Sequence, residues 1–346
     1  MVSQKASDIH ISAGMPIYIR VDEDLRELRE VSLNKDQTQE LIVSMLSDAQ
    51  ARTFKQDWEL DFAFGVEKLG RFRVNVFMYK GMLACSIRHL PEKIMTPEEC
   101  GLPVNVVNKL CAQPKGLVLV TGATGSGKST TLATMIEKIN TERKCHIITV
   151  EDPIEYVHHN KSAIIHQREL GFDTHSFNEA LRHVLRQDPD VILIGEMRDL
   201  ETIEAALNIA ETGHLVFATL HTSDSVQTIN RIVDVFPEYQ QQQVKIQLSF
   251  VLLGVISQQL IPHLSGKGRV LATEILIVTP AIRNLIRETK VHQMYSQIQT
   301  GQKLGMRTMN QSLYDLCMNK KISVDEALGS SSDPDELNRL FKEKTL

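Results

Sequence analysis

The stretch "GLVLVTGATGSGKST" (116–130) constrains the fold more than any other part of the chain. Its first six residues carry no charge and show no polar alternation, the pattern of a strand buried on both faces of a helix-covered parallel sheet. The next positions satisfy G-x-x-x-x-G-K-[ST]. In that pattern glycines let backbone N–H groups turn inward around phosphate oxygens, and the following helix N-terminus adds partial positive charge. Gly122, Ala123, Thr124, Gly125, Ser126, Gly127, Lys128, Ser129 and Thr130 are therefore the candidate nucleotide-binding residues. Lys128 is spaced to reach the β- and γ-phosphates and Ser129 to offer its hydroxyl to Mg²⁺, so ATP and Mg²⁺ are the expected ligands.

The same unalternated pattern recurs in "HIITVED" (146–152), "DVILIGE" (190–196) and "HLVFATL" (214–220). Helical stretches fall between, "STTLATMIEKIN" (129–140) and "FNEALRHVLRQD" (177–188), the latter introduced by a Ser176-x-x-Glu179 capping box. Strand and helix in this rhythm predict an α/β fold with an open doubly wound sheet. Beyond residue 240 the pattern reads as mostly helical, with a last helix capped near Asp333.

The first ninety residues read differently. Short alternating strands at 8–12, 16–21, 72–79 and 83–90 surround a helix-period stretch at 36–54, which predicts a small α+β domain. Pro91, Pro97, Gly101, Pro103 and Pro114 then punctuate 91–115. The expected division is a domain at 1–94, a linker with one short helix at 95–115, and a domain at 116–346.

A length of 346 residues accommodates two domains with separate cores. The net charge of −5 and an aromatic share of 5% argue against a nucleic-acid partner, which calls for basic tracks and stacking platforms. No apolar run approaches 18 residues, and "MVSQKASDIHIS" lacks the apolar stretch of a signal peptide, so no transmembrane segment and a cytosolic location are expected. The five cysteines are scattered with no C-x-x-C pair, so they are expected as reduced thiols rather than disulfides or zinc ligands.

Acids at strand ends supply the rest of the chemistry. Glu196 ends "DVILIGE" and is expected, as a metal-side acid on a strand beside the phosphate loop, to hold Mg²⁺ through water. Glu196 alone leaves the catalytic base unassigned. In "ITVEDPIEY" (148–156), Pro153 breaks the strand and aims Glu151, Asp152 and Glu155 out of the sheet's carboxyl edge, where open α/β sheets keep their ligands. A carboxylate there can orient and deprotonate water; a solvated acidic turn is the competing reading. His214 and His221 bracket "HLVFATL", and a histidine beside the phosphates can bond the γ-phosphate, although either can equally be structural.

Taken together, these motifs resemble the hexameric secretion and type IV pilus motor ATPases, the PilT/secretion-motor superfamily. "GATGSGKST" is similar to its Walker A, "ITVEDPIEY" to its Asp box, "DVILIGEMRD" to its Walker B and "TGHLVFATLHT" to its His box; "SDIHISAG" (7–14) resembles its N-terminal signature. "AIRNLIRE" (281–288) and the lack of C-x-x-C resemble the retraction branch rather than the extension and type II secretion branches. The resemblance implies a RecA-like P-loop NTPase domain behind a PAS-like α+β domain, in a homohexamer docked on an inner-membrane pilus platform protein at the cytoplasmic face. It also implies Glu155 as catalytic base, Glu196 as magnesium-side acid, His221 (with His214 in the same box) as γ-phosphate contact, and Arg73 and Arg88 as arginines completing the site. Such arginines would neutralise charge on the transferring phosphoryl group; as strand residues they also read as solvated cations.

Thr279 and Pro280 read as the N-cap and first position of a helix over 281–288. Arg283 and Arg287 lie four apart, a spacing that costs the helix about 0.2–0.5 kcal/mol and leaves both available to a partner. The expected function is a motor that disassembles pili. Extension, type II secretion, nucleic-acid translocation and nucleotide-gated scaffolding are the rival readings.

Overall fold

Alternation near the N-terminus produces an antiparallel sheet, and the unalternated runs produce a buried parallel one. The computed structural model describes residues 1–343 apart from 5, 22–23, 30–31, 68 and 91–92, so the break expected at Pro91 lies outside the described residues. The chain divides into two compact units, residues 1–93 with 153–157, and residues 94–152 with 158–346.

The first unit contains β1 (Asp8–Ser12), β2 (Ile17–Val21), β3 (Asp24–Arg29), α1 (Lys35–Val43), α2 (Asp48–Asp57), β4 (Glu59–Val66), β5 (Gly70–Tyr79) and β6 (Met82–Leu90). Its strands lie in the order β3-β2-β1-β6-β5-β4, every neighbouring pair antiparallel. Alternate residues of β5 (Phe72, Val74 and Val76) pack with Ile42 of α1 and Phe54 of α2 in one core. The single helix expected over 36–54 is two. Asn34 and Ser47 each form a reciprocal capping box, with Gln37 and Gln50, so a second helix starts where the periodicity seemed to run on.

The second unit begins with α3 (Pro97–Cys100) and α4 (Val104–Cys111). Leu102 and α4's Val106, Val107, Leu110 and Cys111 belong to the same core as the large sheet. That sheet is built from β7 (Gly116–Thr121), β8 (His146–Glu151), β9 (Ile164–Glu169), β10 (Val191–Ile194), β11 (Leu215–Leu220), β12 (Leu252–Pro262) and β13 (Arg269–Ile277), in the order β13-β12-β7-β11-β10-β8-β9. All neighbours are parallel except β12 and β13. Every residue of β7, β10 and β11 is buried, as their lack of alternation requires.

The helices between them are α5 (Lys128–Glu142), α6 (Phe177–Val184), α7 (Leu200–Glu211), α8 (Ser225–Asp234) and α9 (Glu238–Val251). Ser176 caps α6 by accepting from Glu179 N–H. The largely helical tail expected after 240 is corrected here: residues 252–277 form the β12–β13 hairpin. "LLGVI" has no periodicity to separate buried strand from buried helix, and Gly254 settles the matter, since a Cβ there would meet Leu276 O of β13 at 2.8 Å. Helices resume with α10 (Pro280–Arg287), capped by Thr279 with Pro280 first, and α11 (Met294–Thr300). α12 (Met309–Met318), α13 (Val324–Ser330) and α14 (Pro334–Glu343) follow, and Asp333 accepts from Glu336 N–H at 2.9 Å at the start of α14. Leu313, Tyr314, Ile322, Ala327 and Leu337 build a smaller core against Ile261 and Ala272 of the hairpin.

All five cysteines are free, and burial pushes the Cys85 and Cys111 thiols up to about 12. Among the described residues no helix is long and apolar enough to cross a membrane.

Candidate active site

Parallel pairing puts the carboxyl ends of β7, β8, β10, β11 and β12 on one edge of the sheet. Residues far apart in sequence meet there: the 122–127 loop after β7, Glu151 and Asp152 at the end of β8, Glu196 after β10, His221 after β11, and Gln258 in β12. Glu196 was expected on a strand beside the phosphate loop. Instead β11, whose end carries His221, lies between β7 and β10.

The loop needs its glycines for two different reasons. Gly125 and Gly127 hold φ of 79° and 89°, where a Cβ is strained. Gly122, at φ 143°, is confined as well, because a Cβ on it would stand 2.5 Å from both Gln258 O and Ser126 Oγ. Gly127 starts the 15-residue α5 with no side-chain cap hydrogen bond, and a helix N-terminus placed so attracts an anion. Lys128 Nζ donates to Gly122 O at 2.7 Å and Ala123 O at 3.0 Å, folded across the loop it serves. Ser126 Oγ and Gln258 Oε1 are buried with no hydrogen-bond partner, although Gln258 Nε2 reaches Ser126 O at 3.5 Å. A cradle of glycines, a helix N-terminus, a lysine and unsatisfied polar atoms fits a nucleotide phosphate. Ser129 and Thr130 occupy the first turn of α5 directly after Lys128.

Glu196 is the electrostatic centre of the edge. Arg198 Nη2 lies 2.7 Å from its Oε2, and His221 Nε2 lies 3.2 Å from its Oε1. Burial pushes the carboxyl pKa up, but the Arg198 hydrogen bond and charge, with His221 and Lys128 behind them, hold it below the usual carboxylate range. It is therefore an anion suited to hold Mg²⁺ through water. Thr219 Oγ1 donates to Gly195 O at 2.6 Å, and Gly195 N donates to Val150 O at 2.8 Å, which fixes the peptide before the acid. A Cβ at Gly195 would press Val150 O at 3.2 Å and Glu151 Cα at 3.3 Å, a tight approach that favours glycine there.

At the end of β8, the Glu151 carboxylate accepts from Thr149 Oγ1 at 2.6 Å and from Gln167 Nε2 at 3.1 Å. This makes Glu151 a fixed strut. Glu155, between buried Ile154 and Tyr156, is half-buried. It stands three residues from Asp152 and three from His158, so chain length keeps it within about 10 Å of each.

In the first unit Arg73 and Arg88 are direct cross-strand partners of β5 and β6. Arg73 Nε lies 3.6 Å from Asp61 Oδ1, and Arg88 Nε lies 2.8 Å from Asp8 Oδ1. Those two carboxylates offset the repulsion of like charges set directly opposite.

The structure does not bring His214 to the phosphate edge. It precedes β11 at the sheet's amino end, with Nδ1 3.1 Å from Ile209 O and 3.2 Å from Thr212 Oγ1. At the rise of a strand this is about 20 Å from His221. Sequence reasoning also missed contributors. Arg198 follows the acid too closely to be singled out by any spacing rule, and Gln258 lies 130 residues downstream of Lys128 on a strand that was not expected.

An α/β sheet carrying a phosphate loop, an ionised carboxylate and a histidine on one edge defines a P-loop ATPase. The chain belongs to the type II/IV secretion system protein family, whose model matches residues 1–267. It is 51% identical over 332 residues, 96% of each chain, to the Pseudomonas aeruginosa type IV pilus retraction ATPase PilT. It is 48% identical over 309 residues to a Neisseria gonorrhoeae twitching motility protein, spanning 89% of this chain and 82% of that one. Among solved structures, the pilus retraction motor PilT with bound ADP superposes with a TM-score of 0.92 at 51% identity, covering 98% of this chain and 96% of the other.

Proposed function

We propose that this chain is an ATP-hydrolysing motor powering type IV pilus retraction. It works as a ring of six in the cytoplasm, against an inner-membrane platform protein. The observation that carries the reading is the phosphate loop, Glu196 and His221 on one sheet edge, in a chain alike over nearly its whole length to a named retraction ATPase. The functional division is a first domain at 1–94, a connecting segment at 95–115 and an ATPase domain at 116–346.

The chemistry that Mg²⁺ would supply at this edge is neutralisation of phosphate charge. The Ser129 hydroxyl and the Glu196 carboxylate are the residues to hold the ion. Magnesium of this kind needs only one or two protein ligands. Lys128 exchanges its two loop carbonyls for phosphate oxygens. Glu155 orients a water and takes its proton. His221, already braced by Glu196, bonds the γ-phosphate, so that its loss is felt at the ends of β10 and β11 together. Arg73 and Arg88 are assigned to a neighbouring protomer's phosphates, where they offset charge in the transition state.

Deleting the gene and scoring surface pili tests the direction of work: excess pili that do not retract support the reading, and bald cells contradict it. Light scattering on the purified chain with ATP tests the ring, six copies being the expected mass and a persistent monomer the contrary result.

A further inference from the structure

The loop that carries Glu155 leaves the second unit after Asp152 and rejoins it at His158. Its return point is unusually well fastened. His158 Nδ1 lies 2.8 Å from Glu137 Oε2, in the phosphate-loop helix α5, and the imidazole is only 4% exposed. His158 N–H donates to Gln167 Oε1 at 2.8 Å, and the same Gln167 amide donates to Glu151, the last residue of β8 before the loop. Both stems of the loop are thus tied through one glutamine. Glu137 also takes Lys161 Nζ at 2.6 Å and Asn140 Nδ2 at 3.1 Å, while Asn140 Nδ2 donates to His159 O at 2.8 Å and its Oδ1 accepts from Lys161 N–H at 3.1 Å. Helix α5, which starts directly after the phosphate loop, is in this way joined to the chain three residues beyond Glu155.

We propose that His158 is a positioning residue for Glu155, its buried imidazole clamping the return stem of the 152–158 loop to Glu137 of the phosphate-loop helix. The inference rests on the reading of Glu155 as the base. The titratable and charged groups acting on the ring are Glu137 from α5, and His159 and Lys161 from its own loop. Burial pushes the imidazole below its usual value despite the pull of Glu137, so the ring is neutral and donates Nδ1–H to a carboxylate that is itself held low. A second ring proton puts charge on a buried side chain and loosens the clamp, which places a loss of turnover on the acid side of neutrality.

Asparagine can place an amide N–H donor near the Nδ1 position without titrating; leucine offers no donor. The test is steady-state phosphate release by the purified chain across pH 5 to 9, with ATP affinity measured separately. His158→Leu is expected to lower kcat about 100-fold, the cost of displacing a catalytic group by about 1 Å, with ATP affinity unchanged. His158→Asn is expected to keep most of kcat at pH 8 and to lose the acid-side fall, and Glu137→Gln to move that fall to lower pH. Should His158→Leu fail to fold, the pH profiles of the other two variants decide. Profiles superposing on the unmodified chain overturn the inference, as does an unchanged kcat in a folded His158→Leu. Glu155→Gln separates the two readings: if it turns over normally the base assignment falls, whereas a dead Glu155→Gln beside an unaffected His158→Leu removes only the clamp.

Discussion

Glu196 and His221 stand 3.2 Å apart, though 25 residues separate them, and their contact joins the tips of β10 and β11 beside the phosphate loop. With Arg198 on its other oxygen, the carboxylate is ionised well into the acid range. Because its folded pKa is below the ordinary 4.5, its contribution to stability is present above about pH 4.5 and is lost as pH falls through the lowered value. Arg198→Ala returns the pKa toward the ordinary range. The expected result is that the low-pH arm of the stability curve moves to higher pH, measured by thermal unfolding between pH 3 and 6.

Lys128 bonds two carbonyls of its own loop, bonds that water can replace at a partly exposed site. Lys128→Ala should therefore leave the melting temperature within a few degrees. Loss of a charge-assisted bond of about 1.5–3 kcal/mol to phosphate weakens ATP binding about 10- to 100-fold, and calorimetric titration with ATP checks it.

Gly122 has neither the φ nor the room for a side chain, with backbone Gln258 O 2.5 Å from where a Cβ would sit. Gly122→Ala is expected to destabilise the second unit by about 1–3 kcal/mol, through strain and overpacking, and to weaken nucleotide binding with it. Gly125→Ala meets open space and carries only the strain of its positive φ. Chemical denaturation of the two variants should rank them in that order.

Arg73 makes a 3.6 Å pair with exposed Asp61 and faces Arg88 across the strand. Its removal should change stability by no more than about 0.5 kcal/mol, because an exposed pair of that geometry contributes little and a like-charge contact is relieved. A large loss of turnover in Arg73→Ala without a loss of stability is what a catalytic arginine predicts. An unchanged kcat would leave it a surface cation.

What could be read from the sequence divides along a physical line. The phosphate loop, Glu196 and His221 are set by local spacing at strand ends, and the structure places all three on one edge. Strand order is a property of distant pairings, so nothing local told that β11 would separate β7 from β10. The β12–β13 hairpin was missed because "LLGVI" is apolar on both faces, and with it went Gln258 beneath the phosphate loop. His214 misled because it shares a motif with His221 while a whole strand separates them. The break between α1 and α2 was written in Ser47 and Gln50, a local signal outweighed by a helical period that ran through it.

The most direct test of the account is steady-state phosphate release by Glu155→Gln at saturating ATP and Mg²⁺. The account predicts ATP affinity like that of the unmodified chain with turnover reduced at least about 100-fold, the contribution of a positioned general base. Hydrolysis at a near-normal rate would contradict it.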